Sequence, residues 1–214
     1  IVGAGSSGIV AAKNLAQRSI PFDCFEQGSD IGGNWRYDYD NGHASAYDSL
    51  HINTSKTVMA YSDFPMPDHY PEYMHHSQVL EYFENYVEHF QLRSRISFST
   101  AVKSAQPRAD GSWLVETSDG NSENYRALLV ANGHHWSKRL PDFPGEFSGE
   151  SFHAHHYRNP KSLDGKRVLI VGIGNSGIDI ACDVSRVAAK TWLSTRRSAW
   201  LIPKFILGKP VDQY

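Results

Sequence analysis

"IVGAGSSGIVAAKNLAQRSIPFDCFEQ", residues 1–27, reads as strand, tight glycine turn, helix and second strand. Gly3, Gly5 and Gly8 form G-x-G-x-x-G, with Ala4, Ser6 and Ser7 between them and the helix formers Ala11, Ala12, Leu15 and Ala16 after them. In such a turn the first glycine bends the chain and the second lets the backbone approach a pyrophosphate. The third lets the helix pack on the strand. The helix N-terminus then offers amide groups and a dipole that favour the phosphate charge. Glu26 lies 18 residues beyond Gly8, where a carboxylate accepts hydrogen bonds from ribose hydroxyls.

The pattern recurs in "KRVLIVGIGNSGIDIACDVSRVAAKTWLSTRR", residues 166–197. An apolar strand from Val168 to Val171 leads into Gly172, Gly174 and Gly177, with Asn175, Ser176, Ile178 and Asp179 opening an alanine-bearing helix. The position equivalent to Glu26 is Thr195, and Arg196 and Arg197 follow it. Without a carboxylate there is no repulsion of a phosphate at that point, and two guanidiniums supply charge-assisted bonds to one. The first unit therefore suits an unphosphorylated ribose, as in FAD or NAD. The second suits the 2′-phosphate of NADP. A chain with both points to a flavoprotein reduced by NADPH, in which the protein positions and tunes its cofactors.

The fold expected is α/β, with two Rossmann-like units of glutathione-reductase type, parallel sheets, a small antiparallel meander and an incomplete second unit. The expected domains are residues 1–163, an FAD-binding domain with a truncated first strand, and residues 164–214, the first half of an NADPH-binding domain. Between the glycine turns, "DIGGNWRYD" is a loop suited to close approach by a large cofactor. "SQVLEYFENYVEHF" carries Val79, Leu80, Phe83, Tyr86, Val87 and Phe90 at helical spacing, which predicts an amphipathic core helix. Residues 96–126 alternate strand-like runs with the turn signals "ADG" and "SDGN", and Ala127 to Ala131 reads as a returning strand. "LPDFPGEFSG" breaks regular structure.

Composition is that of an ordinary globular chain: 214 residues, 40% hydrophobic, 21% charged, formal net charge −2. No basic field favours nucleic acid. No run approaches the roughly 18 apolar residues of a membrane span. Cys24 and Cys182 lie far apart and form neither a redox C-x-x-C nor a zinc pattern, so a reduced, cytoplasmic setting is expected. The chain begins "IVGAG" without a methionine and ends at "GKPVDQY", and the expectation is a fragment of a longer protein. Three histidines fall within "FSGESFHAHHY", residues 147–157, but no further ligands accompany them, and no metal is expected.

That same stretch matches, at Phe147, Gly149, His153 and Tyr157, the fingerprint F-x-G-x-x-x-H-x-x-x-[Y/F] of the flavin-containing monooxygenases. The chain resembles that family also in "GGNWRY", "NTSK" at 53–56, "YSDFPMPDHYP" at 61–71 and "GIGNSGIDIA". It departs at "ANG", residues 131–133, where many members carry A-T-G. Baeyer–Villiger monooxygenases end the fingerprint in tryptophan, and disulfide reductases need a dithiol that this chain lacks.

The resemblance implies an FAD- and NADPH-dependent monooxygenase of the N,N-dimethylaniline monooxygenase kind. NADPH reduces FAD, O2 adds to give a C4a-hydroperoxyflavin, and one oxygen atom passes to a nitrogen or sulfur of a small molecule. The protein's task is to shelter that species from water. It further implies that Asn53 lies beside the flavin as the catalytic amide. Gly33, Asn34, Trp35, Ile52, Thr54 and Val102 would contact FAD. Ser176, Gly177, Ile178 and Asp179 would line the NADP pyrophosphate turn, with Thr195 to Arg197 at its phosphate end. Lys56 stands open between an active-site cation and a solvated charge. Homodimer formation is compatible with this reading, as are an NADPH oxidase or flavin reductase releasing H2O2, a Baeyer–Villiger enzyme and a non-catalytic nucleotide-binding module. The substrate is set by residues beyond those present.

Overall fold

The computed structural model describes all residues, Ile1–Tyr214. In chain order the elements are helix α1 (Ser6–Gln17), strand β1 (Cys24–Phe25), the short helix α2 (Lys56–Met59) and helix α3 (His76–His89). Strands β2 (Ile96–Ser97), β3 (Val102–Pro107), β4 (Trp113–Thr117), β5 (Ser122–Tyr125) and β6 (Arg167–Val171) follow. Helix α4 (Asn175–Val184), strand β7 (Lys190–Ser194) and a hairpin of β8 (Phe205–Ile206) and β9 (Lys209–Pro210) complete the chain. They form two compact units, each built from two separated stretches: Ile1–Ala44 with Ser77–Trp136, and Ser45–His76 with Ser137–Tyr214.

In the first unit a row of short parallel segments carries the glycine turn. Val2 bridges Phe25 on one side and Val130 on the other, both in parallel, and β1 pairs β2 in parallel. The bonds run Gly3 N–H to Phe25 O (2.8 Å), Phe25 N–H to Ile1 O (3.0 Å) and Ala131 N–H to Val2 O (2.9 Å). The returning strand expected over 127–131 is reduced to the single bridge at Val130.

Helix α1 buries Gly8, Ile9 and Ala12. Helix α3 buries Val79, Tyr82, Phe83, Tyr86 and Val87 completely or nearly so, each such side chain contributing about 1.5–3 kcal/mol. This is the predicted amphipathic helix, with Tyr82 added to its inward stripe. The predicted meander is β3–β4–β5, antiparallel in sequence order.

The second unit contains one β–α–β repeat. Strands β6 and β7 pair in parallel from Arg167↔Lys190 to Val171↔Ser194, with α4 between them. Its core gathers Tyr47, Tyr157, Leu163, Ile180 and Val184, with Val168 and Ile170 of β6 packed against them. Leu169 and Val171, on the alternate face of β6, are exposed.

The compact units do not follow the division expected between residues 163 and 164. Residues 45–76 and 137–163 share a unit with the second glycine turn, tied to it by side-chain bonds from the Tyr47 and Tyr157 hydroxyls to Asp179 and Asp183 of α4. Asp48 N–H donates to Arg158 O (2.8 Å), and bonds from Ile52 to Met74 and from Lys56 to Glu72 close the 45–76 stretch on itself. No helix is long and apolar enough to cross a membrane.

Candidate dinucleotide-binding turns

Each glycine turn can be tested by asking what a side chain would meet there. In the first, a Cβ on Gly3 (φ +97°) would lie 2.6 Å from Ala131 O, and one on Gly8 would lie 1.9 Å from Gly3 O. Real Cβ atoms do not make such contacts, so both glycines are required by the protein's own backbone. Gly5 differs, since its nearest neighbour would be the Gly33 Cα at 3.8 Å. A side chain there would make only an ordinary contact, so the protein's own backbone does not demand this glycine. A glycine at a helix N-terminus that the fold does not require suits close approach by a pyrophosphate. Helix α1 has Gly5 as its N-cap, no side-chain cap and no acid in its first turn, so no side chain of its own competes for that end.

Glu26 occupies the end of β1, 5% exposed. Its Oε2 accepts the Ala4 N–H at 2.7 Å and its Oε1 the Gly28 N–H at 2.9 Å, and the Tyr39 hydroxyl donates to Oε1 at 3.2 Å. A carboxylate offers about four lone-pair sites, so acceptor capacity remains for a ribose hydroxyl. The sequence reading missed the other half of this arrangement, in which Glu26 braces the turn itself. Gly33 lies against Gly5 across the turn (Cβ to Gly5 Cα, 3.3 Å), and it opens the 3-10 turn that carries Asn34 and Trp35. Val102 starts β3, just beyond Thr100, whose amide donates to Glu26 O at 2.8 Å. Gly3, Ala4, Gly5, Ser6, Ser7, Gly8, Glu26, Gly33, Asn34, Trp35 and Val102 thus all belong to the first unit.

The second turn repeats the geometry. Gly172 has φ +110°, and a Cβ on Gly177 would lie 2.3 Å from Gly172 O, whereas nothing stands within 4 Å of one on Gly174. Helix α4 has Gly174 as N-cap, again without a side-chain cap or a first-turn acid. Asn175 and Ser176 are exposed and Ile178 is half-buried. Thr195 follows β7, and its hydroxyl bonds to the Arg197 carbonyl. Arg196 and Arg197 are exposed, so their guanidiniums face solvent at the end of β7.

Ile52, Asn53 and Thr54 lie in the second unit, not with the other residues expected at FAD. The Asn53 side chain is exposed between buried Ile52 and fully buried Ser55. Ser55 is held from both sides, since its N–H donates to Asp212 Oδ2 (2.7 Å) and its Oγ accepts from Gln213 Nε2 (3.1 Å). The question over Lys56 is resolved locally: its ammonium donates to the carbonyls of Asp68 and Tyr70, 2.9 Å each, which makes it a brace of its own loop.

The fingerprint positions have individual physical roles. The Phe147 ring lies where a Gly149 Cβ would stand, 2.4 Å from that position. His153 Nδ1 accepts the His155 N–H (3.1 Å) and caps the 3-10 turn Ala154–His156. The Tyr157 hydroxyl, buried, donates to Asp183 Oδ2 at 2.5 Å.

Comparison with known proteins identifies the family. The profile of a family described as Flavin-binding monooxygenase-like matches residues 1–213. The chain is 43% identical to mouse (Mus musculus) flavin-containing monooxygenase 5, over 99% of this chain and 42% of that protein. It is 39% identical to rabbit (Oryctolagus cuniculus) dimethylaniline monooxygenase [N-oxide-forming] 2, over 95% of this chain and 41% of that protein. Among solved structures, S-allyl-L-cysteine S-oxygenase from Allium sativum superposes with a TM-score of 0.86 at 28% identity, covering 97% of this chain and 53% of that one. The chain thus spans about two fifths of the length of these curated relatives.

Proposed function

This chain belongs to the flavin-binding monooxygenase-like family, and on that premise we propose that the protein containing it is an NADPH-dependent flavoprotein monooxygenase acting on a nitrogen or sulfur of a small molecule. The observation that carries the proposal is the pair of glycine turns with opposite ribose chemistry. One turn is braced by an acid, Glu26, and the other is followed by Thr195, Arg196 and Arg197.

In this reading the first turn holds FAD, with Gly5 and the N-terminus of α1 at the pyrophosphate, Glu26 at the ribose, and Gly33, Asn34 and Trp35 beside it. The second turn holds NADPH, with Gly174, Asn175 and Ser176 at the pyrophosphate and the two arginines at the 2′-phosphate. FAD held there would supply the redox chemistry between NADPH and O2. Asn53 would be the catalytic amide, and the buried Ile52 and Ser55 on either side fix the backbone from which it projects. Overall, substrate, O2, NADPH and a proton give oxygenated substrate, water and NADP+.

Relatives named for N-oxide formation and for S-oxygenation support a soft nucleophile as the substrate class. Two free cysteines support a reducing compartment. The test is turnover of the full-length protein with NADPH, O2 and either dimethylaniline or an alkyl cysteine. One oxygenated product per NADPH consumed is expected. A protein that binds no FAD overturns the reading, and peroxide release independent of substrate assigns an oxidase instead.

A further inference from the structure

Helix α4 bears the second glycine turn at one end, and what fixes its orientation comes from outside the β–α–β repeat. It has only 10 residues and no side-chain cap, and the residues at its open end are exposed. Ile180 and Val184 seat it on the core, but apolar contact is non-directional and tolerates rotation about the helix axis. Asp179 and Asp183 lie one turn apart on the same face. Each accepts a hydrogen bond from a tyrosine distant in sequence: Tyr47 Oη to Asp179 Oδ2 at 2.7 Å, and Tyr157 Oη to Asp183 Oδ2 at 2.5 Å. The Ser49 hydroxyl adds a third, to Asp183 Oδ2 at 3.1 Å.

The two tyrosine rings meet edge to face, with centroids 5.8 Å apart, so the two donors form one packed pair. Asp183 is 8% exposed, and the nearest cation, Arg186, stands 3.9 Å away. The buried carboxylate is therefore satisfied by hydroxyl donors. Packing alone would be served as well by an apolar residue, whereas hydrogen bonds impose direction.

We propose that Tyr47 and Tyr157, acting through Asp179 and Asp183, are positioning residues that hold the N-terminal turn of α4 at the angle which receives the dinucleotide pyrophosphate. The proposal rests on reading that turn as the NADPH site. It assigns a task to the last fingerprint position: Tyr157 orients the site without touching the cofactor. It also places Asn53 and the pyrophosphate turn on one hydrogen-bonded frame within the second unit, because Tyr47, Ser49 and Asn53 share the 45–76 stretch.

The experiment uses the full-length, FAD-loaded protein with Tyr157→Phe, Asp183→Asn and the double variant. Measured quantities are FAD content, NADP+ affinity by titration, and the KM and kcat for NADPH. Each single variant is expected to raise the NADP+ Kd and the NADPH KM about ten-fold, the scale of one lost hydrogen bond to a charged group. FAD content should be unchanged and kcat should stay within about two-fold. The double variant should be no worse than the weaker single, since both remove the same bond.

Unchanged NADP+ affinity in Tyr157→Phe overturns the proposal while leaving the NADPH reading intact. A parallel loss of FAD and of kcat also overturns it, by reducing the pair to general stability. If the wild-type protein binds no NADP+, the functional reading fails and this proposal fails with it. Should Asp183→Asn not fold, Tyr157→Phe, which removes one oxygen only, carries the test alone.

Discussion

A Cβ on Gly8 would stand 1.9 Å from the carbonyl oxygen of Gly3, and one on Gly177 would stand 2.3 Å from that of Gly172. The third glycine of each turn is therefore a requirement of the fold, whereas a Cβ on Gly5 would make only an ordinary contact, 3.8 Å from the Gly33 Cα, and one on Gly174 would meet nothing within 4 Å. Gly8→Ala and Gly177→Ala should destabilise by about 1–3 kcal/mol or more, as overpacking does. Gly5→Ala and Gly174→Ala should leave the thermal midpoint nearly unchanged and weaken dinucleotide binding instead. Thermal melts paired with FAD and NADP+ titrations separate the two classes. Equal destabilisation by all four would show that the middle glycines serve the fold and not a ligand.

Arg196 and Arg197 are exposed and far from the core, so their replacement by alanine should leave stability within about 0.5 kcal/mol. If they read a 2′-phosphate, each lost charge-assisted contact costs about 1.5–3 kcal/mol in NADPH binding and nothing in NADH binding. The ratio of kcat/KM for the two nucleotides measures this directly. Equal losses for both would remove the arginines from nucleotide selection.

Burial and the carboxylates of Asp179 and Asp183 push the Tyr47 and Tyr157 phenols well above their usual range. A folded-state value raised above the unfolded one stabilises the fold fully below the unfolded value, about 10. That contribution drains away as pH rises beyond it. Denaturation of the wild-type protein should therefore steepen above about pH 10, and Tyr157→Phe should flatten this loss. A pH dependence identical in the two proteins would contradict the bond to Asp183.

Cys24 is 1% exposed, and burial pushes its thiol up to about 11, whereas Cys182 is exposed. Since the thiolate is the reactive species, a maleimide or aromatic disulfide added to the native protein at neutral pH should modify Cys182 and spare Cys24, as read by peptide mapping. Cys24 should react only in denaturant. Fast labelling of Cys24 in the native state would show that the row of parallel segments around β1 opens readily.

Local rules account for much of this molecule. The two G-x-G-x-x-G turns were legible because glycine, helix former and acid fall at intervals set by one β–α–β unit, and the amphipathic stripe of α3 was legible because its period is helical. Lys56 and Glu26 show the boundary of such reading. Glu26 reads as an acid at a ribose and Lys56 as either an active-site cation or a solvated charge, but which atoms engage them depends on Asp68, Tyr70, Ala4, Gly28 and Tyr39, brought near by chain folding. The fingerprint was legible as a pattern of Phe147, Gly149, His153 and Tyr157, without the reasons for it. Those are a ring laid on a glycine, a capped 3-10 turn and a buried hydroxyl aimed at a carboxylate.

The sequence by itself determined the two glycine turns, the acid that follows the first, the arginine pair that follows the second and the α/β class, because each is encoded within about thirty consecutive residues. Only the tertiary structure decided that residues 45–76, with Asn53 among them, pack with the second turn and not the first. That choice is made by Tyr47, Ser49 and Ser55 meeting Asp179, Asp183 and Asp212 across more than 130 residues of chain. No local periodicity records a hydrogen bond of that span.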